Sequence, residues 1–206
     1  EMYFIKTPEI LKKLYPRQVW SLPETRKELY LTFDDGPTPS ITEWTLKELQ
    51  KFGAKATFFL VGQNAERHPD IISAIKQGGH AIGNHTYKHL NGWSTSTNTY
   101  IKDILKCDEI VSSKLFRPPY GRITKSQTSI MLNRYKVVMW DVLSGDFDQT
   151  ITKERCLKNV LNNTEPGSII VFHDSVKAAD RMQYALPRVL EYYSEKNFSF
   201  SPLSIN

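Results

Sequence analysis

Two adjacent carboxylates follow a short apolar run in the segment LYLTFDDGP, residues 29–37. The alternating β-forming residues of this run predict a buried strand, and Gly36-Pro37 predicts the turn that ends it. Asp34 and Asp35 would repel each other there unless a cation lies between them or one of them has an arginine partner. Solvated acids in an Asp-Gly turn are the alternative interpretation of this segment taken alone.

A second group of residues that can do chemistry is HTYKH, which places His85 and His89 four residues apart. On one face of a helical turn, two imidazoles at this spacing can bind one metal ion. No glutamate follows the first histidine, so the HExxH protease motif is excluded and a base must come from elsewhere. Asp35 is the oxygen donor that would complete a site of two histidines and one carboxylate. We expect zinc, although cobalt, nickel or iron would also suit this donor set.

The remaining reactive residues can transfer protons. Asp34, beside the metal but not a ligand, can take a proton from a water molecule whose pKa the metal lowers to about 7. Arg117 can keep this base ionised through a bidentate pair. His173, which follows the apolar run IIVF, is a candidate general acid, and we expect Asp146 to favour its charged form. A strand-end imidazole hydrogen-bonded to Asp174 is the structural alternative for His173.

Short apolar strands and amphipathic helices alternate about seven times along the chain. Ser40 and Glu43, for example, form a capping box ahead of a helix that Gly53 ends. This order predicts right-handed βαβ units and a parallel sheet, open or closed. Predicted strands cover residues 29–33, 56–61, 80–84, 115–116, 137–142, 168–172 and 198–200. Predicted helices begin at Ser40 and Pro69 and cover residues 96–113, 126–134, 152–161 and 187–193.

The reactive side chains all lie just past the carboxyl end of a predicted strand. In a β/α barrel, this is the face on which active sites are built. Scattered solvated residues would fall at both ends of the strands, so a shared end indicates a site. The residues concerned are Asp34, Asp35, His85, His89, Arg117, Asp141, Asp146 and His173.

Length and composition limit the class of protein. With 206 residues and 40% hydrophobic composition, the chain can bury one good core, and no break in composition indicates a second. We expect residues 1–28 to form a lead-in packed on the barrel and residues 29–206 to form a single catalytic domain. Cys107 and Cys156 are too few for a disulfide framework and lack metal-site spacing, so we expect both to be reduced and buried.

No apolar run approaches the length of a membrane span, and no signal-peptide pattern begins the sequence. We therefore expect no transmembrane segment; the cytoplasm is favoured, and the cell surface stays open if further residues precede these. The net charge of +5 comes from dispersed residues, so we expect no nucleic-acid partner. We expect a monomer.

Together these motifs resemble the polysaccharide deacetylase family, the NodB-homology domain of carbohydrate esterase family 4. Its five motifs appear in order as TFDDG (32–36), the two histidines of HTYKH (85–89), RPPYG (117–121), residues 141–146 and VFH (171–173). The resemblance implies a distorted (β/α)7 barrel. It also implies a metal-dependent hydrolase site that removes N-acetyl, or sometimes O-acetyl, groups from sugars.

Carried over residue by residue, the resemblance gives each motif a role. Asp34 activates the water that attacks the acetyl carbonyl, and the backbone N–H of Tyr120 helps to hold the resulting oxyanion. Arg117 orients Asp34, and His173, tuned by Asp146, protonates the departing amine. The implied ligands of the metal, which we expect to be zinc, are Asp35, His85 and His89.

The residues expected to contact substrate surround this centre. Val171 matches the apolar residue, usually leucine, that lines the acetyl pocket. Phe147 follows Asp146 where the family usually has tryptophan, which changes the wall that faces the sugar. Trp93 can stack on a pyranose, with packing under a loop as the alternative. The turn at Pro119 and Tyr120 completes the set.

We therefore expect an enzyme that removes N-acetyl groups from N-acetylglucosamine units of peptidoglycan or a chitin-like glycan. Its partner would be an acetylated glycan or oligosaccharide. The alternatives are an O-acetyl esterase of the xylan type, a deacylase of a lipid-linked sugar and an inactive sugar-binding relative. An inactive relative would lack the base or a metal ligand, and the sequence retains Asp34, Asp35, His85 and His89.

Overall fold

The computed structural model describes residues 3–23 and 25–204. Its strands form one sheet in the order β5-β4-β3-β2-β1-β7-β6, with β8 paired to β1. All of these strand pairs are parallel, which confirms the predicted α/β barrel class. The strands are β1 (Glu28–Asp34), β2 (Ala56–Leu60), β3 (Ala81–Asn84), β4 (Leu115–Phe116), β5 (Lys136–Val137), β6 (Val142–Leu143), β7 (Ile169–His173) and β8 (Ser199–Phe200).

Helices connect the strands and cover the outer face of the sheet. Short 3₁₀ turns at Gly92–Ser94 and Pro119–Gly121 lie in the loops at the carboxyl end of the strands. The α-helices are α1 (Glu9–Leu14), α2 (Ile41–Lys51), α3 (Gly62–Arg67), α4 (Pro69–Gln77), α5 (Thr97–Val111), α6 (Lys125–Met131), α7 (Lys153–Leu161) and α8 (Ala179–Glu195).

Side-chain alternation along β1 separates the core from the site. Phe33 lies between Phe58 of β2 and Phe172 of β7, with ring centroids 5.0 and 6.1 Å away, and these rings belong to the core under the helices. Because successive side chains of a strand point to opposite faces, Thr32 and Asp34 face the inside of the barrel. The buried Phe33 therefore fixes the register that directs Asp34 inward.

The lead-in lies along the edges of the sheet. Its residues 5–7 pair with 141–143 in antiparallel fashion, through N–H bonds of 2.8 Å from Leu143 to the Ile5 carbonyl and from Thr7 to the Asp141 carbonyl. Further along, Val19 donates its N–H to the Val137 carbonyl of β5 at 2.9 Å. The division of the chain at residue 28 stays a prediction.

The predicted strand over residues 137–142 was wrong. The chain forms β5 and β6 instead, and Asp141 precedes β6 at the end of the barrel opposite the reactive face. The Asp141 carboxylate accepts hydrogen bonds from Lys6 at 2.6 Å, Lys12 at 2.9 Å and Ser168 at 2.5 Å. Its function is therefore to fasten the lead-in, and placing it among the reactive residues was an error.

The last helix also differs from its prediction. It begins at Ala179, well before the predicted start, and contains Pro187 in its interior. Proline removes one helical hydrogen bond and normally ends or kinks a helix. Here Met182, Leu186 and Val189 are fully buried against the sheet, and this packing outweighs the local signal.

Both cysteines are free thiols in buried positions, as predicted. Among the described residues, no helix combines the length and the apolar character needed to cross a membrane.

We predict that Asp141→Asn lowers the free energy of unfolding at pH 7 by about 2–3 kcal/mol, because two lysines lose a buried charged acceptor. Burial acts to raise the pKa of Asp141, but hydrogen bonds from Lys12, Lys6 and Ser168 lower it below its ordinary value. This stabilisation is present above the ordinary carboxyl pKa of about 4 and is lost as the pH falls through the lower pKa of the folded state.

Urea unfolding across pH 3–7 would measure the effect. The difference in the free energy of unfolding between the variant and the parent should become smaller toward pH 3. Asp180→Asn is the matched control, because the Lys153–Asp180 pair is exposed (side chains 47% and 66%). It should cost less than about 1 kcal/mol. Equal losses in the two variants would contradict the anchoring role of Asp141.

Candidate active site

Arg117 is a fully buried side chain inside the barrel, at the end of β4. Its Nη1 donates to Asp34 Oδ1 and to the Thr32 hydroxyl, each at 2.7 Å. Its guanidinium lies 4.1 Å from the centroid of the Phe59 ring. Asp34 is 4% exposed, so the ion pair is shielded from water and the carboxylate is fixed in one orientation.

The predicted bidentate pair was wrong. One nitrogen of Arg117 serves Asp34, while Nη2 donates to the Met139 carbonyl at 2.8 Å and Nε donates to the Val138 carbonyl at 3.3 Å. The backbone after β5 turns inward at Val138 and Met139, and its carbonyls accept hydrogen bonds from the other two nitrogens of the guanidinium. The second carboxylate oxygen of Asp34 is thereby left for other partners.

Asp35 lies at the tip of β1 with a left-handed backbone, φ 78°. Its carbonyl accepts a hydrogen bond from the Asn64 side chain at 2.9 Å. The turn after β1 thus directs the Asp35 carboxylate sideways while Asp34 continues the inward alternation of the strand. The carboxylates of Asp34 and Asp35, although adjacent in sequence, therefore lie in two different environments.

His85 follows β3 and is 2% exposed. Its Nδ1 lies 2.8 Å from the Arg117 carbonyl, which requires the N–H at that position and leaves Nε2 with a free lone pair. Burial lowers the pKa of His85 to about 4, against the opposing effect of Asp34 and Asp35. The imidazole is therefore neutral at pH 7, the form that binds metals.

The segment between the two histidines is a loop, so the predicted helical turn was wrong. Thr86 and His89 have positive φ angles of 63° and 55°. The loop is fixed by Asp103 of α5, whose Oδ2 accepts the N–H groups of Tyr87 and Lys88 at 2.8 and 2.9 Å. These contacts with a distant helix, and not an i to i+4 spacing, bring the imidazoles together.

His89 approaches the same carboxylate oxygen of Asp35 as His85, and the two imidazole ring centroids are 5.1 Å apart. Its Nε2 lies 3.1 Å from Asp35 Oδ1, and the corresponding distance from His85 Nε2 is 3.7 Å. Its Nδ1 lies 3.1 Å from the hydroxyl of Tyr120, whose ring packs edge-on against the imidazole at 4.7 Å. Burial acts to raise the pKa of Asp35, but the hydrogen bond from His89 and the charge of His173 hold it well below its ordinary value.

The donor atoms of Asp35, His85 and His89 all lie within 4.8 Å of one another. Two imidazole nitrogens and one carboxylate oxygen are a set that suits zinc and related divalent ions. The outer nitrogen of each imidazole has an oxygen partner, which fixes the inner nitrogen toward the centre. The residues present therefore fit a metal site with positions left for water and substrate.

His173 ends β7 beside Asp34, its partner in the strand pairing. Its Nδ1 lies 2.7 Å from Asp146 Oδ1, and its backbone N–H donates to Asp146 Oδ2 at 2.7 Å. Burial acts to lower the pKa of His173, but Asp146, with Asp35 and Asp34 behind it, raises that pKa to about 9. His173 thus lies next to Asp34 on the neighbouring strand, and its raised pKa favours the charged imidazole at neutral pH.

Asp174 does not orient His173. Its carboxylate accepts the Gly36 N–H at 3.1 Å and the Thr42 hydroxyl at 2.5 Å, and it lies so close to Gly36 that a Cβ there would be 2.2 Å from its oxygen. Burial raises the pKa of Asp174 to about 7. The residue fastens the turn after β1, and glycine is required at its point of contact.

The residues predicted to contact substrate differ in their exposure and in their contacts. Val171 is buried on the inner face of β7 between β1 and β6, two residues before His173. Phe147 packs edge-on against His173 at 5.2 Å. Trp93 is 67% exposed, so it does not pack under its loop. The turn at Pro119 and Tyr120 lies next to His89, with Tyr120 at φ 60° and its side chain 56% exposed.

All the residues proposed from the motifs therefore meet at one end of the barrel, apart from Asp141. Sequence reasoning missed Asp103 and Asn64, which support the loops. One signal for Asp103 was available, because a carboxylate on the buried face of α5, in line with Tyr100 and Cys107, needs a polar partner.

We predict that Asp103→Ala weakens zinc binding about 10- to 100-fold although it removes no ligand, because the loop between the histidines loses its acceptor. Competition with a chromophoric chelator would measure the dissociation constant. Asp108→Ala on the same helix is the matched control, because its partner Arg134 is exposed. Unchanged zinc affinity in a folded Asp103→Ala protein would contradict the positioning role.

The chain is similar in sequence to known proteins. A profile described as polysaccharide deacetylase matches residues 21–136. A peptidoglycan-N-acetylglucosamine deacetylase of Bacillus cereus is 38% identical over 163 residues, which are 76% of this chain and 59% of that protein. This chain thus spans less than two thirds of that relative. A chitooligosaccharide deacetylase of Azorhizobium caulinodans is 34% identical over 166 residues, 76% of this chain and 78% of that protein.

Among solved structures, a peptidoglycan N-acetylglucosamine deacetylase in complex with a naphthalenyl N-hydroxybenzamide superposes with a TM-score of 0.88. The two chains are 34% identical, and the match covers 96% of this chain and 95% of the other. The resemblance predicted from the five motifs is confirmed: the chain belongs to the polysaccharide deacetylase family of hydrolases.

Proposed function

We propose that this protein is a zinc-dependent hydrolase that removes N-acetyl groups from N-acetylglucosamine units of peptidoglycan or a chitin-like glycan. The observation that carries the proposal is that Asp34, held by Arg117, and His173, held by Asp146, lie side by side on neighbouring strands at the same end of the barrel as the three donor residues. The names of the Bacillus and Azorhizobium relatives support an N-acetylated glycan as the substrate.

Asp35, His85 and His89 would hold the metal. When bound, a divalent ion supplies a Lewis acid that polarises the acetyl carbonyl and makes water more acidic. Asp34 acts as the base, because Arg117 pairs with its carboxylate at 2.7 Å and holds it in one orientation inside the barrel. It takes the proton from the water that attacks the carbonyl carbon.

The backbone N–H of Tyr120 is the proposed donor to the oxyanion that develops on the carbonyl oxygen. The turn at 119–121 is stiff because prolines precede Tyr120, so this donor needs little reorganisation during the reaction. His173, charged at neutral pH because of Asp146, gives its proton to the departing amine. An amine is a poor leaving group, and an amide substrate therefore depends on this acid.

The walls of the mouth determine which sugar fits. We propose that Val171 lines the acetyl pocket, that Phe147 and Tyr120 form the sides that face the sugar, and that Trp93 offers an exposed face for a pyranose ring. Pro119 fixes the wall of the mouth that lies nearest the proposed metal ligands.

Acetate release from chitooligosaccharides, peptidoglycan and acetylated xylan, measured in parallel after chelation and after re-addition of zinc or cobalt, tests the proposed reaction. We expect metal-dependent release from the N-acetylated glycans. Release from xylan alone would replace the proposal with an O-acetyl esterase. No release from any of the three, in protein shown to bind metal, would overturn the proposed substrate class.

We predict that Asp34→Asn lowers kcat by about 10²- to 10⁴-fold and leaves zinc affinity within a few-fold of the parent, because only the base is lost. His89→Ala, which removes a ligand, should lose both zinc binding and turnover. Isothermal titration with zinc, together with acetate release, separates the two effects. Substantial turnover by metal-loaded Asp34→Asn would contradict the assignment of the base.

We predict that kcat falls as the pH rises through the pKa of His173, because only the protonated imidazole can act as the acid. That pKa is raised to about 9 by Asp146, Asp35 and Asp34 against burial, so the acid form is complete below it and is lost above it. Asp146→Asn removes the nearest charge and should move this alkaline limb toward the ordinary value of about 6.5. An unmoved limb in the variant would exclude His173 as the titrating group.

A further inference from the structure

The lead-in reaches the active site. Lys6 lies opposite Val142 in an antiparallel bridge, and Leu143 donates its N–H to the Ile5 carbonyl at 2.8 Å. In such a pairing, each step toward the amino end of the lead-in is a step toward the carboxyl end of β6. Tyr3 therefore lies next to Gly145, where the loop that carries Asp146 begins.

Tyr3 contacts this loop at three residues. Its hydroxyl donates to Asp148 Oδ2 at 2.7 Å, and its ring packs on the Phe147 ring with centroids 5.1 Å apart. A Cβ on Gly145, which has φ 79°, would lie 3.2 Å from the Tyr3 hydroxyl oxygen. The Asp148 N–H closes the turn by donating to the Gly145 carbonyl at 2.9 Å, so Tyr3 holds both ends of it.

The turn held by Tyr3 is the one that presents Asp146 to His173. Asp146 lies between Gly145 and Asp148 and accepts two hydrogen bonds from His173, each 2.7 Å long. Phe147 lies in a row between the rings of Tyr3 and His173, with centroid distances of 5.1 and 5.2 Å. A displacement of Tyr3 would therefore reach His173 by two routes, through Asp146 and through Phe147.

We propose that Tyr3 is a positioning residue for the acid of the reaction, holding the 145–148 turn so that Asp146 and Phe147 keep His173 in place. The inference rests on the proposed function for the role of His173, but the contacts that carry it come from the lead-in, which contains none of the family motifs. Aromatic rings at these separations attract one another, so the row of rings is a stabilising element in its own right.

The hydrogen bond from Tyr3 to Asp148 stays intact over the working pH range, because neither group changes its protonation state there. Burial and the bond to Asp148 raise the pKa of Tyr3, so the phenol stays a neutral donor. The hydroxyl and amide of Thr150, with Tyr3, lower the pKa of Asp148 to about 2, so it stays an ionised acceptor. The groups that act on His173 itself are Asp146, Asp35 and Asp34, and on the far side of the turn Arg181 of α8 donates to the Asp146 carbonyl at 2.7 Å.

The test compares Tyr3→Ala and Tyr3→Phe in zinc-loaded protein. We expect Tyr3→Ala to lower kcat on the order of tenfold, less than the hundredfold that a 1 Å misplacement can cost, with zinc affinity unchanged. Tyr3→Phe keeps the ring and loses only the bond to Asp148, so it should retain most of the activity. Tyr192→Ala, a partly exposed tyrosine of α8, is the matched control and should leave both quantities unchanged.

A second readout is independent of turnover. Nuclear magnetic resonance titration of the His173 imidazole, assigned with a His173→Gln variant, should give a lower pKa in Tyr3→Ala than in the parent and little change in Tyr3→Phe. An unchanged His173 pKa and kcat in a folded Tyr3→Ala protein would overturn the proposal, as would an equal loss of zinc affinity, which would indicate general disruption. If the parent releases no acetate from any glycan, the proposed function fails, while a shifted His173 pKa still supports the positioning role.

Discussion

The buried ion pair between Arg117 and Asp34 is the interaction on which the rest of the site depends. A guanidinium with no exposed surface is costly to bury without partners, and breaking a buried pair typically costs about 3–5 kcal/mol. Besides Asp34 it bonds Thr32 of β1 and the carbonyls of Val138 and Met139, so it joins the centre of the sheet to the chain beyond β5. Its own carbonyl accepts a hydrogen bond from His85, so one residue orients both the proposed base and a proposed metal ligand.

The donor residues and their neighbours are held in backbone conformations that isolated chains avoid. Asp35, Thr86, His89 and Tyr120 are non-glycine residues with positive φ, and all four lie at the site. Such conformations persist where surrounding contacts over-determine them. The 86–89 loop meets this condition, because α3 donates to its carbonyls and Asp103 of α5 accepts its N–H groups.

The proposed base and the proposed acid lie on neighbouring strands, and their buried partners carry opposite charges. Asp34 pairs with the buried Arg117 guanidinium, whereas His173 pairs with the buried Asp146 carboxylate. This difference suits the proposed hydrolysis of an amide, in which one proton is taken from water and another is given to nitrogen. In our proposal, Tyr3 also helps to position His173. The lead-in that covers this edge of the sheet therefore contributes to the proposed reaction.

The sequence by itself determined the alternation of strands and helices, the identity of the donor residues and the family, because these depend on local patterns and short motifs. Only the tertiary structure decided how the two histidines meet, why Arg117 gives Asp34 a single nitrogen, and that Asp141 belongs to the opposite end of the barrel. In each case the deciding partner is distant in the chain, as with Asp103 for the histidine loop and the lead-in for Asp141. A local pattern carries no information about such partners, whereas a packed interior leaves their positions no freedom.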